Sequence, residues 1–172
     1  MVLEKRGDIR MKLIITDVEN FDIPIDGEYR IIKPDKEMKS CIGCFGCWIK
    51  TPGKCVIHDG YENTGILLGK CSELILISRC AYGSVSPFIK MVMDRAISYV
   101  HPDFVIRKGE MHHKRRYDNV IQLTAYFYGD NITEVEMETA RNLMEANADN
   151  YDGTVKSVQF YQSVEELEGV TL

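Results

Sequence analysis

The hydrophobic run Glu73–Ser78, ELILIS, limits the fold of this chain more than any other stretch. Leu74–Ile77 are apolar without interruption, so an extended backbone here would present apolar side chains on both faces. A strand of that kind belongs inside a parallel sheet covered from both sides. This is the expected central strand. Lys12–Thr16 (KLIIT), Tyr29–Ile32, Asn119–Phe127 (NVIQLTAYF) and Val155–Tyr161 (VKSVQFY) supply runs of strand length around it, making a set of five.

Helical signals fall between the later strands. Ser86 offers an N-cap hydroxyl before Pro87 at the first helical position, and Phe88, Met91, Val92, Arg95, Ala96 and Tyr99 recur at helical spacing until Pro102. Thr133 and Glu136 have the spacing of a capping box, ahead of an apolar stripe of Val135, Ala140, Leu143, Met144 and Ala148 that ends before Gly153. A shorter helix is expected over Tyr61–Leu68, stopped by Gly69. Strands alternating with helices predict an α/β domain with an open parallel sheet and helices on both faces. In such a sheet, ligands sit beyond the carboxyl ends of the strands. The loops Arg79–Ser84 (RCAYGS) and Tyr128–Asp130 (YGD) are therefore candidate binding segments.

The net charge of −5 at pH 7 disfavours nucleic acid or an anionic membrane as the main partner. The one basic run, His112–Arg116 (HHKRR), is expected to be a solvated loop face, with paired-histidine metal binding as the minor alternative. No segment approaches the roughly 20 apolar residues that span a bilayer, and MVLEKRGDIR carries no apolar run of signal-peptide length. A cytoplasmic protein is expected, with Met1–Arg10 as an extension ahead of one domain over residues 11–172.

CIGCFGCWIKTPGKC, from Cys41 to Cys55, spaces four cysteines as C-x2-C-x2-C-x7-C. Four thiolates that converge can hold a [4Fe–4S] cluster. Cys41, Cys44, Cys47 and Cys55 supply the number, Gly43 and Gly46 allow a cramped backbone, and Lys50 and Lys54 would offset the charge of the cluster. Zinc is a further possibility. The alternative is packing, with small thiols beside Phe45 and Trp48 in a buried loop. Cys71 reads as core.

Together with SRCAYGSVSPFIKMVMDR at Ser78–Arg95, this stretch resembles the NADPH-dependent FMN reductases and the related iron–sulfur flavoproteins, which have a flavodoxin-like fold. The resemblance is firm over Lys39–Arg95 and looser beyond. It implies strand order 2-1-3-4-5, FMN at the strand ends, hydride from NAD(P)H, and a homodimer or higher oligomer passing electrons to a small-molecule or protein acceptor. Arg79, Cys80, Ala81, Tyr82, Gly83 and Ser84 match the loop that wraps the flavin ring in the family, and Tyr128 lies in the neighbouring loop. Cys80 becomes a candidate thiol near the flavin, and Lys90, Asp94 and Arg95 anchor a helix and dimer contacts. By the same resemblance, Cys41, Cys44, Cys47 and Cys55 are cluster ligands.

The segment after the first strand departs from the family. DVENFDIPIDG replaces the glycine-serine phosphate loop, so the first crossover helix is expected to be missing. With Asp17, Glu19, Asp22 and Asp26 in the segment, the FMN phosphate would need Arg79 or a basic group from another subunit. Three readings follow: an FMN-dependent NAD(P)H oxidoreductase, a [4Fe–4S] electron carrier, and a non-catalytic subunit that has lost FMN binding.

Overall fold

The computed structural model describes residues 11–172, so the expected extension over residues 1–10 lies outside the described residues. In chain order the elements are β1 (Met11–Thr16), β2 (Tyr29–Ile32), α1 (Gly46–Ile49), α2 (Thr64–Leu68), β3 (Cys71–Arg79), α3 (Pro87–Arg95), β4 (Val100–Arg107), β5 (Glu110–Arg115), β6 (Gln122–Tyr128), α4 (Glu134–Asn150) and β7 (Thr154–Tyr161). A five-stranded sheet has the order β2-β1-β3-β6-β7, and every pairing in it is parallel. Counted within that sheet, the order is the expected flavodoxin-like 2-1-3-4-5. ELILIS lies in its centre, with Leu74, Leu76 and Ile77 completely buried.

Period-two alternation divides the core. On one face, Leu13, Ile15, Leu74, Leu76, Leu123 and Phe127 pack with residues of α2, α3 and α4, among them Leu68, Ile89, Val92 and Met144. On the other, Ile14, Ile75, Ile77 and Tyr126 meet Ile23, Leu167 and Leu172. Helices were expected on both faces, and they gather on the first. Two irregular segments cover the second: residues 17–28, which form no helix, and residues 162–172, which contain a single 3-10 turn at Glu165–Gly169. Pro24 and the carboxylates around it explain the missing crossover helix. The two segments fasten each other. The Leu172 N–H donates to the Pro24 carbonyl at 3.1 Å, and the Asp26 N–H donates to the Leu172 carbonyl at 2.8 Å.

Local departures from expectation have identifiable causes. The Thr133–Glu136 capping box forms as expected, but the Ser86 hydroxyl makes no cap bond. It is buried without a partner, while the Ser86 N–H donates to Ser78 Oγ at 2.8 Å. The third helix stops at Arg95 and passes through a 3-10 turn at Ala96–Tyr99 straight into β4, so Pro102 lies inside a strand. His112–Arg116, expected as a loop, largely forms β5, the second strand of an antiparallel hairpin. The two residues linking β4 to β5, Lys108 and Gly109, have φ of 51° and 84°. Two successive positive φ angles are what a tight hairpin turn requires. Asn119 precedes β6 rather than opening it, and its side-chain amide donates to the carbonyls of Leu68 and Cys71 at 2.8 and 2.7 Å.

Leu167 is 1% exposed on the face without helices. Leu167→Ala should lower stability by about 2–5 kcal/mol in urea denaturation. A loss under 1 kcal/mol would show that the tail is a loose cover rather than part of the core.

Candidate functional site

At the strand ends, the residue after β1 controls the crevice. The Asp17 carboxylate accepts the Arg79 N–H at 3.0 Å and the Tyr128 hydroxyl, also at 3.0 Å. One side chain thus joins the carboxyl ends of β1, β3 and β6. Burial raises the Tyr128 phenol well above its usual pKa, and the Asp17 charge raises it further. Tyr128 therefore acts as a fixed hydrogen-bond donor at neutral pH. Asp17 is legible in the sequence as a carboxylate in the crowded segment, but its role as a clamp depends on a tyrosine 111 residues away.

The loop after β3 closes on itself. Ala81 and Ser84 exchange both backbone hydrogen bonds at 2.9 Å, and the Cys80 N–H donates to the Tyr128 carbonyl at 2.8 Å. Tyr82 and Gly83 turn the corner with φ of 54° and 76°. A Cβ at Gly83 would lie 2.7 Å from the Thr139 side chain and 2.9 Å from the Glu136 carbonyl oxygen. Close packing on α4 and the positive φ both favour glycine there. Tyr82, by contrast, is 94% exposed. Holding a tyrosine in the left-handed region costs roughly 1–2 kcal/mol, and such strain concentrates at binding sites. The Arg79 side chain is exposed and has no hydrogen-bond or ion-pair partner among the described residues. Beside it, Cys80, Tyr128, Asn131 and Glu165 line a cavity of about 440 Å³. The Cys80 thiol is raised by burial, against which the Gly83 N–H works.

These features test the fit to FMN at two ends. At the ring end, the unengaged Arg79 guanidinium lines the cavity and the exposed Tyr82 ring stands on the same loop outside its lining, and in kind these groups fit. At the phosphate end, the Asp17 carboxylate and a helix-free segment occupy the place of an anion cradle, and they do not fit.

The four motif cysteines come together at a second cavity, which Ser84 at the end of the loop after β3 also lines. Cys41, Cys44, Cys47 and Cys55 all line one cavity of about 620 Å³, with Trp48 and Arg95 in its wall. Burial raises the Cys47 thiol, and the neighbouring Cys55, Cys41 and Cys44 raise it further. The donors fit a cluster in kind and number, but as placed they do not close around a point. Among the described residues, no group of three or more Cys, His, Asp or Glu has metal-holding geometry. Cys71 is core, as expected, and burial pushes its thiol up to about 12.

Arg95 fixes the motif against α3. Its side chain is fully buried and pairs with the nearly buried Asp59. The guanidinium also donates to the carbonyls of Lys39 and Ile57 at 3.1 and 3.0 Å, so it grips the chain on both sides of the cysteines. Its Nε makes no hydrogen bond among the described residues, and the Cys55 thiol lies close enough to interact with the guanidinium.

A parallel sheet in this order with the candidate loops at its carboxyl edge defines a flavodoxin-like α/β protein. The solved structure of a Trp repressor binding protein from Bacillus subtilis has the same fold, with a TM-score of 0.51, 13% identity, and coverage of 90% of this chain and 88% of that one. An iron–sulfur flavoprotein of Methanocaldococcus jannaschii is 40% identical over 62 residues, which is 36% of this chain and 31% of the relative's length. No family model matches. The first likeness bears out the flavodoxin-like fold, and the second, over the 62 residues it covers, the resemblance to iron–sulfur flavoproteins.

Burial works to raise the Asp59 carboxyl, but hydrogen bonds from Arg95 and from the N–H groups of Lys39 and Tyr61 overcome it and hold the pKa below the usual range. A depressed carboxylate pKa adds stability above the unfolded-state value, and this is lost as pH falls through the folded value. Unfolding followed from pH 7 downward should show that loss setting in below about 3.9. In Asp59→Asn the stability at pH 7 should fall by about 3–5 kcal/mol, because Arg95 is left buried without its counter-charge, and the acid-dependent loss should shrink. An unchanged acid profile would mean that the pair does not anchor the motif.

Proposed function

We propose that the chain is a flavin-linked oxidoreductase of the NAD(P)H-dependent FMN reductase type. The observation that carries this reading is Tyr82, strained in backbone and exposed in side chain at the tip of the loop after the central strand. An aromatic face in that position can stack on an isoalloxazine ring, and Arg79 can meet the phosphate that Asp17 excludes from the end of β1. Bound FMN would accept hydride from a nicotinamide and deliver electrons to an acceptor. The protein's own contribution is positional. Tyr128, held by Asp17, fixes the floor between the two loops, while Arg79 and Tyr82 orient the ligand from the exposed side.

Titrations with FMN and with riboflavin at low ionic strength test this directly. A charge-assisted contact contributes about 1.5–3 kcal/mol, or roughly tenfold to a hundredfold in affinity. FMN should therefore bind more tightly than riboflavin by such a factor, and Arg79→Ala should abolish the difference. Tyr82→Ala should weaken both ligands. A wild-type protein that binds neither flavin would overturn the reading and favour a non-catalytic subunit.

A second reading is favoured by the gathering of four thiols around one cavity: a [4Fe–4S] electron-transfer protein held by Cys41, Cys44, Cys47 and Cys55. Protein purified without oxygen should then contain iron and acid-labile sulfide, and Cys47→Ser should lose both. Wild-type protein free of iron and sulfide under those conditions would leave the cysteines a packing role.

A further inference from the structure

The cysteine motif contains two overlapping C-x2-C units, Cys41 with Cys44 and Cys44 with Cys47. A unit of this spacing is a frame for thiol–disulfide exchange. The chemistry needs an accessible thiol to meet the substrate and a second, more sheltered thiol to release it. The structure separates the two units on that requirement. Cys41 and Cys44 are both exposed, so the first unit has no sheltered member, whereas in the second Cys44 is exposed and Cys47 half-buried. A Cβ added at Gly46 would lie 3.5 Å from the Cys44 sulfur, so that sulfur rests against the start of α1, whose second residue is Cys47.

The other thiols are placed differently. Cys55 is buried and turned inward, where its sulfur accepts the Ile57 N–H at 3.5 Å and lies beside the Arg95 guanidinium. Cys71 is in the core. Around Cys44 the chain is unusually apolar for a surface. Ile42, Phe45 and Ile49 are 72%, 57% and 78% exposed, and Phe45 holds a left-handed φ of 56° directly between the two thiols. An exposed aromatic in that backbone region is strained, and such strain concentrates where a ligand is met.

We infer that Cys44 and Cys47 form a dithiol–disulfide pair that reduces disulfides brought to the exposed Cys44. The Cys44 thiol gives its proton to solvent and attacks one sulfur of the substrate. The substrate S–S bond breaks, and its other sulfur leaves as a thiolate that takes up a proton. Cys47, losing its own proton, then attacks the Cys44 sulfur of the mixed disulfide, closing the Cys44–Cys47 bond and releasing the second substrate thiol. Two electrons pass from the pair to the substrate, and a small thiol reductant returns the pair to the dithiol by the reverse exchange. The inference describes the chain with these thiols free of iron, and it does not depend on flavin binding.

Incubation of the purified full chain with oxidised glutathione without oxygen, followed by alkylation and mapping by mass spectrometry, tests it. Wild type should lose two thiols per chain, gain a Cys44–Cys47 bond and retain no glutathione, and dithiothreitol should restore both thiols. Cys47→Ser should instead keep one glutathione on Cys44, and Cys44→Ser should leave the Cys47 thiol free. A peptide disulfide flanked by apolar residues, run in parallel, distinguishes the source of the substrate: faster loss of thiols than with glutathione assigns the apolar flank to a polypeptide, and equal rates assign the site to small disulfides. The mapping is read on wild type, so a variant that melts early does not remove the test. A bond mapped to another pair, glutathione retained on wild-type Cys44, or thiols held by iron and closed to exchange overturns the inference.

Discussion

The buried guanidinium of Arg95 is the contact on which the arrangement of the cysteine motif depends. A long irregular stretch separates β2 from β3, and such a stretch has no sheet ladder to fix its path. Arg95 supplies one from inside α3, with a carboxylate at Asp59 and carbonyls at Lys39 and Ile57. The pair is desolvated, so its attraction works in a low-dielectric setting, and losing either partner strands a charge there. The cysteines lie between the gripped points. Their common cavity therefore follows from packing on α3.

Asp17 exerts a comparable constraint at the carboxyl ends of the strands. By accepting from the Arg79 N–H and the Tyr128 hydroxyl it sets the spacing of three strand ends. The same carboxylate makes that point hostile to a phosphate. A strand-end crevice of this fold ordinarily gains its anion affinity from free N–H groups, and here one of those donors is spent on the protein's own acid. What remains for a ligand is the exposed side, where Tyr82 and Arg79 stand.

Legibility in the sequence followed the range of the forces involved. The central strand and the capping box could be read because burial and local hydrogen bonds imprint periodicity on neighbouring residues, whereas the sheet order came only with the family resemblance. Gly83 was legible as a turn glycine, but the approach of α4 to it is something no local pattern encodes. The hairpin had a signal in Lys108-Gly109 between two extended runs. The helical spacing from Phe88 onward, continued to Pro102, obscured where the helix stops, and the charge of HHKRR suggested a loop. The four cysteines showed which residues gather, and their spacing could not give the geometry of the gathering. That is fixed by Arg95, far along the chain.

The face of the sheet without helices has a bearing on how the chain is made. Ile14 lies in the first strand, and the Leu167 and Leu172 side chains that join its cluster lie at the far end of the described sequence. During synthesis from the N-terminus, β1 and β3 can pair well before that cover exists. Until residues 162–172 leave the ribosome, Ile14, Ile75 and Ile77 present an apolar surface with only residues 17–28 available to shield it. A nascent chain in that state offers a sticky sheet face to chaperones and to neighbouring nascent chains alike.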